Sequence, residues 1–213
     1  MHFRKSEIVM LGTVLLAILV GIYVYPHMPE KIASHWNIKG EVDGYLPKFW
    51  GLFIMPSLLF VIGLLFYFIP RIDPLKTNIE QFRKQYDTFV ILLFPFLLSI
   101  HIQIILWIKG FQISPSVLVP IGLGILFFYV GILFENAKQN WFIGIRTPWT
   151  LSSENVWEKT HKLGAKLFKV IAVITVSGIF FGKYTFLFVI IPVLFVALYT
   201  IVYSYVEYRK EVK

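Results

Sequence analysis

The sequence predicts an all-α, polytopic integral membrane helical bundle: six transmembrane helices, with amphipathic helices in the second and fourth loops. Three observations carry that prediction. Apolar runs of about membrane length recur at 8–25, 50–69, 88–108, 115–134, 167–182 and 184–206, and roughly twenty residues of helix cross a bilayer's hydrocarbon. Only 15% of the 213 residues are charged and 57% are hydrophobic, with mean hydropathy +0.73, whereas a soluble domain carries roughly 25% charged residues. The runs are continuous rather than alternating, which excludes the strands of a membrane barrel.

The first run follows Arg4 and Lys5, as a secretory signal would, but Tyr-Pro-His-Met-Pro follows it instead of a small-x-small cleavage site. It reads as a retained helix. Runs five and six are separated only by Gly182-Lys183 and read as a tight helical hairpin. With no cysteine, disulfides, thiolate metal sites and cysteine nucleophiles are excluded.

Orientation follows from Lys and Arg placement. The N-terminus, second loop, fourth loop and C-terminus carry fourteen, against five on the opposite side. This predicts a multi-pass cell-membrane protein with both termini cytoplasmic. The formal net charge of +8 is then chiefly a topology signal, with nucleic-acid binding disfavoured. The chain divides into a two-helix unit with an outer loop (1–70) and a four-helix unit (71–213).

The outer loop, residues 25–50, begins with Pro26 and Pro29 as helix terminators. Asn37 to Gly40 and Asp43-Gly44 read as turns, and Trp36, Tyr45 and Trp50 suit the bilayer interface. His35, Trp36, Gly40, Asp43 and Gly44 form a candidate outer site. His27, Glu30, His35, Glu41 and Asp43 include metal-ligating types, but at no recognised ligand spacing, so no metal is assigned.

In the second loop, Ile79, Phe82, Tyr86 and Phe89 recur at helical spacing. They predict a short amphipathic helix lying on the inner leaflet, with Lys76, Arg83 and Lys84 on its polar side. Near the middle of the third run, His101 and Gln103 are polar groups in hydrocarbon and need partners on other helices. Pro56, Pro95, Pro120 and Pro192 are expected to kink or loosen their helices.

The densest polar segment is NWFIGIRTPWTLSSENVWEKTHKLG, residues 140–164. Asn136, Gln139 and Asn140 are placed on one helical face running into it. Gly144 and Pro148 break the helix before Trp149, and Pro148 drives Thr147 into extended backbone, so Arg146 is held on a short irregular strand beside the bilayer surface. Ser152 or Ser153 caps a new helix with Glu154 in its first turn. This helix runs almost unbroken into the fifth span, with Val156, Trp157, Thr160, His161, Gly164 and Phe168 on one face. Lys159, Lys162, Lys166 and Lys169 form a basic stripe suited to anionic headgroups. No nucleophile elbow, metal-helix motif or phosphate loop is present, which predicts a non-enzyme without a cofactor.

The pattern N-x-x-x-G-I-R-T-P-W-T-L-S-S-E-x-V-W-x-x-T-H-x-L-G, from Asn140 to Gly164, resembles the signature of the SdpI-type immunity family of bacterial and archaeal membrane proteins. The outer pattern P-E-K-I-A-S-H-W-N-x-x-G-E-V-D-G-Y-x-P-K resembles a small domain of unknown function that commonly precedes it. The resemblance implies resistance to a secreted toxic peptide, and a receptor role in which a winged-helix repressor is held at the membrane. The outer loop would meet the peptide. The inner segment (Asn140, Gly144, Arg146, Thr147, Pro148, Trp149, Ser152, Glu154, Trp157, His161) would bear on repressor capture. The competing reading is a small-solute or lipid transporter, or a lipid-processing enzyme, with His101, Gln103, Glu135 and Arg146 lining a cavity.

Overall fold

In the computed structural model, which describes residues 3–37 and 40–212, six helices are long and apolar enough to cross a membrane. They are α1 (Lys5–Val24), α2 (Lys48–Ile72), α4 (Arg83–Ile108), α5 (Pro115–Asn136), α7 (Glu154–Ser177) and α8 (Leu187–Glu211). Two short helices, α3 (Lys76–Gln81) and α6 (Pro148–Ser152), lie in the second and fourth loops, on the face that holds both termini. On the opposite face, β1 (Lys31–Trp36) and β2 (Val42–Pro47) make an antiparallel hairpin between α1 and α2. The fold is otherwise a helical bundle.

Exposed side chains such as Leu11, Leu15 and Leu19 on α1, or Leu194, Leu198 and Val202 on α8, face outward where lipid would lie. The interior is built by two groups of helices. In one, α1, α2 and α4 bury Met10, Val14, Ala17, Leu59, Val90 and Phe94. In the other, α5, α7 and α8 pack together, with α5 and α7 the most intimate pair. A Cβ on Gly131 would lie 2.7 Å from the Ala165 carbonyl oxygen, and one on Gly124 would lie 2.4 Å from Val176 Cγ2. Small residues let two membrane helices approach closely, gaining dispersion contacts that lipid cannot supply. The prolines inside α2, α4, α5 and α8 interrupt none of these helices.

The termini-bearing face is tied by charged pairs. Glu7 lies 2.6 Å from Arg71, Ser6 donates to Asp87 (2.9 Å), and Arg83 pairs with Asp87 (3.0 Å). These contacts join the start of α1 to both sides of the second loop. Opposite-charge contacts satisfy one another where burial would otherwise penalise each alone.

Three expectations are corrected here. Asp43-Gly44 is strand, not turn: both residues lie in β2, with Gly44 opposite His35. A Cβ on Gly44 would lie 2.8 Å from the His35 Cβ, so the glycine is needed for strand approach. The centre of the turn expected at Asn37 to Gly40 lies outside the described residues, but at its edges Gly40 (φ +79°) donates its N–H to the Asn37 carbonyl (2.9 Å). The second-loop helix is broken, and its apolar face is covered by protein. Phe82 (φ −118°, ψ 24°) splits it into α3 and the first turn of α4, and Ile79, Phe82 and Tyr86 are buried in the helical core. Its apolar face finds protein rather than lipid, because the fourth loop folds over it. The third span correspondingly begins at Arg83, earlier than the hydropathy boundary at 88.

Candidate functional site

The fourth loop folds back on α7 as a latch, and nearly every polar residue in it has a defined bond. Helix α5 ends at Asn136, with extended backbone at Ala137, so the face expected for Asn136, Gln139 and Asn140 does not exist. Asn140, fully buried, organises the return. Its Nδ2 donates to the carbonyls of Lys138 (2.8 Å) and Ile143 (2.9 Å), and its Oδ1 accepts from the N–H groups of Phe142 (3.0 Å) and Ile143 (2.6 Å). One side chain thus satisfies four backbone groups in a segment with no secondary structure of its own, where buried backbone polar groups must find partners.

Gly144 follows at φ +118°. A Cβ there would sit 2.3 Å from His161 Nε2, so the position excludes any side chain. The close approach allows Ile145 N–H to donate to His161 Nε2 (3.0 Å), while His161 Nδ1 faces the Trp157 carbonyl at 2.8 Å. Since Nε2 accepts, the ring proton resides on Nδ1, and the imidazole is neutral in this arrangement. His161 stacks on Trp157 at 3.9 Å between centroids, and the Trp157 indole N–H donates to the Ala137 carbonyl (2.8 Å). Both ends of the returning loop are thereby fastened to one turn of α7.

The next residues form a capped single turn. Thr147 is extended (φ −110°, ψ 162°) as expected before a proline, and Pro148 opens α6 where its missing N–H costs nothing. Thr147 and Thr150 cap each other reciprocally, and Thr147 Oγ1 lies 3.0 Å from Ser204 Oγ of α8. Gln139 Nε2 donates to the carbonyls of Thr150 (2.8 Å) and Leu151 (2.9 Å). Ser153, not Ser152, caps α7 by accepting the Val156 N–H (3.2 Å); Ser152 donates to the Pro148 carbonyl instead. Trp149 packs on Tyr205 at 5.1 Å.

Arg146 stays exposed, with one guanidinium N–H donating to the Trp141 carbonyl (3.0 Å). Glu154, also exposed, has no bonded partner among the described residues. The lysine stripe is largely committed: Lys159 binds Glu207 (3.0 Å), Lys162 binds Glu158 (2.5 Å) and Lys169 binds Glu135 (2.6 Å). Beside the latch, between α3, the end of α5 and the start of α7, lies a cleft of about 310 Å³ that reaches Trp157 and His161.

On the opposite face, Ile32 packs where a Cβ on Gly51 would meet it at 2.3 Å, pinning the hairpin to α2. Trp36 meets Trp107 of α4 edge-on at 5.4 Å. His35 Nδ1 lies 2.5 Å from Asp43 Oδ1, and both side chains are exposed. No three potential metal-ligating side chains gather among the described residues.

The intramembrane polar residues separate. Gln103 sits near the hairpin end of α4, not its middle, and donates to the Ile113 carbonyl of the α4–α5 turn (2.7 Å). His101 is fully buried within α4.

Several contacts that hold the latch escaped the sequence reading. Asp73, 2% exposed, accepts the N–H groups of Leu75 (2.6 Å) and Trp141 (2.9 Å), bridging the second and fourth loops. Asn78 donates to the Gln139 carbonyl (2.8 Å) across the same junction. Glu211 accepts from Ser153 (2.6 Å) and Asn155 (2.8 Å). The Asp-Pro pair at 73–74 signals a turn, but its partner lies 68 residues away.

Residues 12–60 match a domain of unknown function (DUF1648), and residues 136–204 match the SdpI/YfhL protein family. Among curated proteins, Immunity protein SdpI of Bacillus subtilis (strain 168) is 28% identical over 207 residues, which cover 97% of each chain. No solved structure matches. The second match covers the α5 exit, the latch, α7 and α8 as far as Ser204, so the latch is the part of this chain that is similar to the SdpI/YfhL protein family, with a DUF1648 match ahead of it.

Proposed function

We propose that this chain is a non-enzymatic membrane immunity protein that resists or senses a secreted toxic peptide and signals to a cytoplasmic repressor of the winged-helix type. The observation that carries the reading is its collinear similarity, over 97% of both chains, to a protein named for immunity. The Lys and Arg excess on the termini-bearing face supports placing that face in the cytoplasm and the hairpin outside.

In this reading the division at residue 70 separates labour. The outer hairpin offers His35, Trp36, Asp43 and the turn at Gly40 to the peptide. The latch from Asn140 to His161 offers exposed Arg146, Trp141 and Glu154 to the cytoplasm. Helix α4 spans between them. It meets the hairpin through Trp107 at one end and follows the loop that Asp73 and Asn78 fasten to the latch at the other. A ligand that moves the hairpin would therefore bias the latch if α4, or α2 running from β2 to the Asp73 loop, shifts with it.

The transporter reading is less favoured by geometry. Of its four residues, Glu135 borders the cleft and binds Lys169, Gln103 is spent on a turn carbonyl, His101 is buried, and Arg146 is exposed elsewhere.

The test is expression in a toxin-sensitive bacterial host challenged with candidate peptides, together with a repressor-controlled reporter. Wild type is expected to protect. His35→Ala is expected to lose protection, and Arg146→Ala to retain protection while losing reporter output. If wild type never protects and both variants match it in every readout, the immunity reading fails.

A further inference from the structure

The outward side of α8 carries a continuous stripe. Ile191, Leu194, Leu198, Val202, Tyr205 and Arg209 recur every three or four residues, so they share one side of the helix, and all six are exposed. The other side, with Val196, Thr200, Ser204 and Glu207, is buried against the bundle. From Ile191 to Val202 the apolar part covers about 17 Å of helix axis. That is close to one leaflet's half of a hydrocarbon core of about 30 Å.

At its polar end the stripe changes character. Tyr205 packs on Trp149 of α6 with ring centroids 5.1 Å apart, an aromatic pair of the kind found at the bilayer interface. Arg209 lies one turn beyond, about 6 Å along the axis, and with Tyr205, Val206 and Lys210 it lines a shallow hollow of about 310 Å³. The Arg209 guanidinium, the Tyr205 hydroxyl and the Trp149 indole N–H have no bonded partner among the described residues. No carboxylate lines the hollow, and those nearby are committed elsewhere. Glu207 binds Lys159 (3.0 Å) and Lys210 (2.5 Å) on the buried side, and Glu211 accepts from Ser153 (2.6 Å) and Asn155 (2.8 Å). Arginine and tryptophan can only donate, and a guanidinium fork matches the oxygens of a phosphate. The end of the α8 dipole opposes an anion here, but only with a partial charge of about one half, beside the full charge of Arg209.

We propose that this end of α8 holds the headgroup of an anionic phospholipid, with Arg209 on the phosphate, the Trp149–Tyr205 pair at the glycerol level and an acyl chain along the stripe. The occupant is a lipid and not a free anion, because the hollow is continuous with a stripe that faces the hydrocarbon of the bilayer. The inference needs only a membrane around the helices and does not rest on the immunity reading.

The test is native mass spectrometry of full-length protein in dodecyl maltoside, titrated with dioleoyl phosphatidylglycerol, dioleoyl phosphatidylcholine, glycerol 3-phosphate and an acidic hexapeptide. Wild type is expected to saturate with phosphatidylglycerol at roughly tenfold higher affinity than with phosphatidylcholine, the effect of one charge-assisted contact. Arg209→Gln should remove most of that preference, and Arg209→Lys, which keeps the charge but loses the fork, should retain part of it. Tyr205→Phe should weaken phosphatidylglycerol binding a few-fold through loss of its hydroxyl. Lys84→Gln makes the same charge change at an exposed position elsewhere on the termini-bearing face, and should leave the preference intact. Arg209 is exposed, so lipid-free melting curves of its variants should match wild type, while added phosphatidylglycerol should raise the wild-type melting temperature more than that of Arg209→Gln. Equal affinity of wild type for the two lipids overturns the proposal, as does an unchanged preference in Arg209→Gln. Loss of preference in Lys84→Gln as large as in Arg209→Gln overturns it in favour of a general attraction to the positive face. Binding of glycerol 3-phosphate or of the acidic peptide as tight as that of the lipid overturns the lipid as the occupant.

Discussion

Gly144→Ala is the sharpest perturbation of the latch. Two costs arise. At φ +118° an alanine is strained, on the order of 1–3 kcal/mol. Its Cβ would also lie 2.3 Å from His161 Nε2 and 3.3 Å from Cδ2 and Cε1, so the ring or the loop must move. Either movement breaks the Ile145 N–H bond to His161 and leaves a donor unpaired, costing about 1–3 kcal/mol. The expected total is about 2–6 kcal/mol. Thermal unfolding in detergent, followed by circular dichroism, should fall by several degrees at least, since about 1 kcal/mol shifts a protein of this size by roughly 2–4 °C. Nitrogen-15 NMR of the imidazole reports the same event: in wild type the proton sits on Nδ1 and Nε2 accepts, and the variant should lose that signature. A double-mutant cycle separates the costs. In a His161→Ala background the clash disappears, so Gly144→Ala should cost only the backbone strain. A single variant that melts with wild type and keeps the same imidazole spectrum would refute the steric argument.

Other variants probe the supports around that contact. Asp73→Ala leaves the Leu75 and Trp141 N–H groups unpaired and should destabilise by about 2–4 kcal/mol. The specific check is faster hydrogen exchange at the Trp141 amide, and unchanged exchange there would remove Asp73 from the junction. Trp157→Phe keeps a ring against His161 but deletes the indole bond to the Ala137 carbonyl, so a loss of about 1 kcal/mol is expected in a chemical denaturation series. Gly51→Val should detach the hairpin from α2, because even a Cβ would meet Ile32 at 2.3 Å; limited proteolysis between residues 31 and 47 reads this directly. Asp43→Asn, by contrast, removes an exposed pair worth at most about 1 kcal/mol. Its melting temperature should barely move, so any loss of protection it causes would point to ligand contact and not to unfolding.

The sequence by itself determined the fold class and the spans, because bilayer thickness sets helix length and the apolar runs have that length. It also determined the local grammar of the fourth loop. Extended Thr147, Pro148 at a helix start, and a serine cap before Glu154 each depend on neighbours within a few residues, which is why they were legible. Helical spacing likewise placed Val156, Trp157, Thr160, His161 and Gly164 on one buried face.

Tertiary structure decided what those faces meet. An apolar stripe on Ile79, Phe82 and Tyr86 reads the same whether lipid or protein covers it, and only the returning loop shows that protein does. Basic spacing on α7 suggested a lipid-facing stripe, but Glu207 and Glu135 arrive from other helices to bind two of its lysines. The strand at Asp43-Gly44 was missed because a hairpin's register is set by its partner and by the approach to His35, not by local turn propensity. Most of all, the reason for Gly144 is a ring seventeen residues later in the chain. A short motif can specify its own backbone, but a void for another residue's side chain exists only once the chain has folded back on itself.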